Sequence, residues 1–131
     1  MTQPWVLVVD DDRDNLNIIV ETLDSAGFVV RGVPSAREAL KLLDGADKPC
    51  AVLCDFMMPH TSGLDLFRQV RNDAALDDVA VLFVTALMPR LVPFPPGAAV
   101  LAKPFGDTQL IAFMDSHCPG AHRQAVTAPG P

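Results

Sequence analysis

The sequence predicts an α/β fold: a mostly parallel sheet covered by helices on both faces. Three observations predict it. Four apolar runs, VLVV, AVLC, VLFV and AVLA, each stop at polar side chains, namely Asp10 with Asp11, then Asp55, Thr85 and Lys103. Such unbroken runs are the pattern of strands buried on both faces. Between them lie stretches with the i, i+3, i+4, i+7 spacing of one helix face. Strand and helix patterns alternate along the chain, which implies right-handed crossovers and parallel pairing.

The elements follow in order. Val6 to Val9 is the first strand. Asp12 to Ala26 presents Leu16, Ile19, Val20 and Leu23 on one face, and Gly27 stops it past the last turn. Phe28 to Val33 is a short second strand. Ser35 and Glu38 form the S-x-x-E capping pattern of a helix burying Ala39, Leu40 and Leu43. Ala51 to Cys54 is the third strand, and a loop from Phe56 to Ser62 leads to a third helix near Gly63, with Leu64, Phe67 and Val70 on one face. Val79 to Val84 and Ala98 to Ala102 are the fourth and fifth strands. The last helix starts near Asp107, read as its cap, and ends by Cys118.

One stretch breaks the rhythm. ALMPRLVPFPPG, between the last two strands, holds Pro89, Pro93, Pro95 and Pro96. Proline inside a helix costs about 3 kcal/mol or more, so the fourth helix of the alternation is expected to be shortened or missing. Leu87, Leu91, Val92 and Phe94 crowd this segment; they are expected to fold back over the sheet and are also a candidate partner surface. Residues 1–118 are expected to form one domain, and residues 119–131, which lack periodicity, a disordered tail.

Composition narrows the function. A net charge of −6 with singly scattered Lys and Arg argues against a nucleic-acid or membrane partner. No apolar stretch approaches the roughly 18 residues of a membrane span, and the N-terminus lacks the basic start of a signal peptide. A soluble, cytoplasmic domain is expected. Cys50, Cys54 and Cys118 are read as small buried thiols rather than a disulfide or zinc site.

The polar strand ends carry the chemistry. Carboxyl ends of parallel strands are where ligands bind in open α/β sheets. If Asp10, Asp11 and Asp55 converge, two charges about 4 Å apart repel by about 4 kcal/mol at an effective dielectric of 20, so the cluster needs a cation. Oxygen donors alone suit Mg²⁺, and Lys103 offsets part of the charge. Asp55, alone at its strand end, is the natural nucleophile toward phosphorus. Thr85 can donate a hydrogen bond to a phosphoryl oxygen, Ala86 leaves room for it, and Lys103 can pair with another oxygen.

In that order, VLVVDDD, CDFMMPHTSGLDL, VLFVTA and AKPF make the chain resemble a response-regulator receiver domain of two-component signalling, from about Pro4 to Ser116. The resemblance implies a flavodoxin-like (βα)5 fold, a doubly wound parallel sheet with strand order 2-1-3-4-5. It implies that Asp55 accepts a phosphoryl group from a histidine kinase or histidine phosphotransfer protein and that a downstream protein, as yet unknown, reads the change. Asp11, Asp55 and the backbone carbonyl of Met57 would ligate Mg²⁺, with Asp10 acting through water. Thr85, Ala86 and Lys103 would bind the phosphoryl group, and the Lys103–Pro104 bond would be cis. A monomer or a phosphorylation-dependent dimer is expected, acting without an output domain of its own.

Two departures stand out. Val100 occupies the position where the family usually has an aromatic switch residue, and the proline-rich segment replaces much of a common output face. They keep a rival reading open, a pseudo-receiver that binds partners without cycling phosphate. A second rival, an Asp-nucleophile phosphatase or phosphotransferase of the haloacid-dehalogenase type, needs a second Asp two residues after the nucleophile, where this chain has Met57.

Overall fold

Five parallel strands form one sheet in the order β2-β1-β3-β4-β5. They are β1 (Val6–Val9), β2 (Val30–Val33), β3 (Ala51–Asp55), β4 (Ala80–Thr85) and β5 (Ala99–Ala102). The helices are α1 (Arg13–Ser25), α2 (Ala36–Leu43), α3 (Gly63–Arg71) and α4 (Asp107–His117). This is a computed structural model, and it describes residues 4–56, 58, 63–86 and 94–121. The expectation of a shortened or missing helix between β4 and β5 falls largely on residues 87–93, outside the described residues; from Phe94 to Ala98 the chain is not helical.

Side-chain alternation sorts the sheet into two cores. Leu7, Val9, Val52, Cys54, Val81 and Phe83 face α2 and α3 through Ala39, Leu43, Leu66 and Val70. Val6, Val8, Ala51, Leu53, Leu82 and Val84 face α1 and α4 through Leu16, Ile19, Leu23, Leu110 and Met114. Each fully buried side chain of this size contributes about 1.5–3 kcal/mol by leaving water. β1, β3 and β4 are buried along their length, whereas the edge strand β2 exposes Arg31 and Gly32.

The helix starts are set locally. Asp12 caps α1 by accepting from the backbone N–H groups of Asp14 and Asn15 at 3.0 and 3.3 Å. Ser35 Oγ caps α2, accepting from Glu38 N–H at 3.2 Å. Asp107 is not the cap of α4: Gly106 holds that position, and its N–H donates to Gln109 Oε1 at 2.7 Å. Asp107 instead places its charge in the first turn, where the helix dipole favours it. After α4, Pro119–Ala121 makes a 3-10 turn in which Ala121 is buried, and its carbonyl accepts from Val29 N–H at 3.0 Å. The packed chain thus runs past residue 118, and the remainder of the expected tail, residues 122–131, lies outside the described residues.

The thiol expectation needs correction. Cys54 is a free, buried thiol, but Cys50 and Cys118 are bonded as a disulfide, with Cα atoms 5.9 Å apart. That spacing lies inside the usual range of about 4.4–6.8 Å. Sequence separation of 68 hid the pair, because only the topology brings the start of β3 beside the end of α4. Under non-reducing denaturation the purified chain is expected to be lighter by two hydrogen atoms than its reduced form and to alkylate once, at Cys54. Equal masses with three alkylated cysteines would contradict this.

Candidate functional site

The carboxyl edge of the sheet gathers the polar strand ends. Asp10 follows β1, Asp55 ends β3 and Thr85 ends β4. Lys103 directly follows β5 and is tied to β4 by its N–H donating to the Thr85 carbonyl at 2.7 Å. One carboxylate oxygen from each of Asp10, Asp11 and Asp55 lies within 4.8 Å of the others. Lys103 Nζ stands 3.5 Å from Asp55 Oδ2, with both side chains partly buried.

The DDD run divides its labour. Asp10 is 1% exposed while Asp11 is exposed. Asp12 turns away to cap α1. Asp10 Oδ1 accepts from Asp12 N–H at 2.9 Å, but its buried Oδ2 has no hydrogen-bond partner among the described residues. Burial pushes the Asp10 carboxyl above the usual carboxylate range, and Asp55 and Asp11 add to the shift against the opposing Asp12 hydrogen bond and Lys103. A buried carboxylate oxygen without a partner, beside two more carboxylates, fits a hard divalent cation. The donor set is all oxygen, as Mg²⁺ prefers.

Close packing fixes the rest of the pocket. Phe56 N–H donates to the Val84 carbonyl at 3.0 Å, which holds the end of β3 against β4. Gly63 opens α3 with its N–H on the Phe56 carbonyl at 2.9 Å. A Cβ there would stand 2.9 Å from the Phe83 ring and 3.2 Å from the Asp55 carbonyl, so only glycine lets α3 start this close to Asp55. Thr85 is buried, Ala86 is exposed, and the Lys103–Pro104 peptide bond is cis. Burial and the charges of Asp55 and Asp10 push the Cys54 thiol up, keeping it inert beside the site.

Met57, Leu87, Leu91 and Val92 lie outside the described residues. Phe94 folds back: it is half-buried, with its ring 4.6 Å from that of Phe56 and 5.9 Å from that of Phe83. Val100 lies opposite Phe83 in the sheet register and in the same core. In the sequence Gly63 is an ordinary helix start, and nothing there pairs Phe56 with Phe83.

The model for the response regulator receiver domain matches residues 6–115 of the chain. Response regulator MprA of Mycolicibacterium vanbaalenii is 38% identical over 113 residues, covering 83% of this chain and 48% of that protein. Transcriptional regulatory protein CpxR of Klebsiella pneumoniae is 33% identical over 108 residues, covering 82% and 46%. The chain thus spans about half the length of these curated relatives. Among solved structures, a response regulator receiver protein from Burkholderia phymatum superposes with a TM-score of 0.73 at 31% identity, covering 86% of this chain and 93% of that one.

Proposed function

Since the chain belongs to the response regulator receiver domain family, we propose that it is a phosphoryl-controlled switch whose acceptor is Asp55. The carrying observation is the convergence of Asp10, Asp11 and Asp55 with Lys103 at one sheet edge. In the proposed step an Asp55 carboxylate oxygen bonds to phosphorus as the P–N bond of a phosphohistidine breaks, and the released imidazole takes up a proton. Asp10, Asp11, Asp55 and the Met57 carbonyl would hold Mg²⁺, which when bound neutralises charge on the transferring oxygens. Lys103 would pair with one phosphoryl oxygen, while the Thr85 hydroxyl and the Ala86 backbone would contact the others.

A histidine kinase or histidine phosphotransfer protein is the proposed donor. Support comes from a groove beside Lys103, lined by Asn15, Ile18, Ile19, Ala86, Pro104 and Phe105. Ile18, 59% exposed, is the one large apolar side chain left in water among the described residues. Such a groove can seat an apolar helix face next to the acceptor. The acidic balance bears only on this surface, not on nucleic-acid contacts of any attached segment. No described helix is long and apolar enough to cross a membrane, and action in the cytoplasm is part of the proposal.

Calorimetry with beryllofluoride, a mimic of the phosphoryl group, tests this reading. Heat of beryllofluoride binding is expected only in protein already loaded with Mg²⁺, above whatever heat Mg²⁺ alone gives. Absence of heat with both would favour the pseudo-receiver instead.

A further inference from the structure

Three phenylalanine rings close a triangle in the core between the sheet and helices α2 and α3, at the strand ends that carry the proposed site. Phe56 and Phe83 meet edge to face at 5.2 Å between ring centroids. Phe94 completes the figure, 4.6 Å from Phe56 and 5.9 Å from Phe83. Each ring is tied to a different part of the site. Phe56 is the residue after Asp55, and Phe83 shares the sheet face of Thr85, two residues on. Phe94 comes from the connector between β4 and β5.

That connector is stiff where it leaves the ring. The Ala98 N–H donates to the Pro95 carbonyl at 3.2 Å, and Gly97 has φ +86°. Pro96 in second place and a positive-φ Gly97 in third make a type II turn. The turn feeds straight into β5 and so toward Lys103. On β5 the residue opposite Phe83 is Val100, which brings no ring. The aromatic partner of this layer is supplied by Phe94 instead.

We propose that Phe94 couples the state of Asp55 to the β4–β5 connector, as a positioning residue acting through Phe56 and Phe83. This rests on the phosphoacceptor reading. In the structure the Asp55 carboxylate is paired with Lys103, and the ring triangle belongs to that paired state. A phosphoryl group on Asp55 would take over the Lys103 contact and draw on Thr85, shifting two of the three rings' anchors. Close-packed rings do not deform by degrees; the third repacks or leaves. Contacts made in one state favour that state, so loss of the Phe94 ring favours loading.

Fluorine NMR of fluorophenylalanine-labelled protein, with the Phe94 signal assigned through Phe94→Leu, tests the coupling alongside beryllofluoride calorimetry. Saturating beryllofluoride with Mg²⁺ is expected to move the Phe94 signal. Phe94→Leu is expected to bind the mimic about fivefold tighter, a typical coupling, and Phe94→Tyr, which keeps a ring, to restore wild-type affinity. An unmoved Phe94 signal in protein that binds the mimic, or unchanged or weaker binding by Phe94→Leu, overturns the coupling alone. Failure of the wild-type chain to bind the mimic at all removes the phosphoacceptor reading and the coupling with it.

Discussion

Asp55→Asn is expected to stay folded and to lose phosphoryl acceptance completely. The substitution keeps shape and one carbonyl oxygen but removes the anionic nucleophile, and a neutral amide does not attack phosphorus at a useful rate. Folding should survive because the side chain sits at the end of β3 rather than inside a core. Two electrostatic effects of the change oppose each other. The Lys103 ion pair is lost, while the repulsion among three carboxylates is relieved. Labelling from acetyl phosphate, with thermal melting as the control for folding, reads both parts. Label retained by a folded Asp55→Asn protein would place the acceptor elsewhere.

Asp10→Asn is expected to act in opposite directions on stability and on metal binding. Asp10 Oδ2 is buried without a partner among the described residues, and the neighbouring carboxylates disfavour its charge. An Asn amide there can donate to those carboxylates, while Oδ1 keeps the Asp12 hydrogen bond. Removing such a functional strain commonly adds about 1 kcal/mol, seen as a melting temperature a few degrees higher without metal. In Mg²⁺ the order should reverse. A ligand at 100 times its Kd stabilises by about 2.7 kcal/mol, and the variant forfeits that gain along with the anionic ligand. Melting curves of both proteins with EDTA and with Mg²⁺ give the crossing. A variant less stable than wild type in EDTA would contradict the electrostatic reading of the cluster.

Much of this site could be read from the chain because burial and function leave different marks. Runs such as VLVV and AVLC are apolar because both faces of β1 and β3 are covered. A polar side chain at the end of such a run is conspicuous, and four such ends in order imply one edge. The division of labour within Asp10, Asp11 and Asp12 was not legible. Three identical neighbours differ only through where β1 stops and α1 starts, and the backbone decides which is buried, which is exposed and which caps. The β2 boundary was blurred for a related reason. Phe28 is buried like a strand residue, but its N–H returns to the Leu23 carbonyl and closes the turn after α1. The Cys50–Cys118 pair and the ring triangle are contacts across long sequence separations, which periodicity cannot reveal. Phe94 in particular is one apolar residue among several in its segment, and only its neighbours in space single it out.

Mass spectrometry of the wild-type chain after incubation with acetyl phosphate, with and without Mg²⁺, tests the central claim most directly. The expected result is one added phosphoryl group, formed only with Mg²⁺, and mapped by fragmentation to Asp55. A chain that stays unmodified, or one modified at another residue or equally well in EDTA, would contradict it.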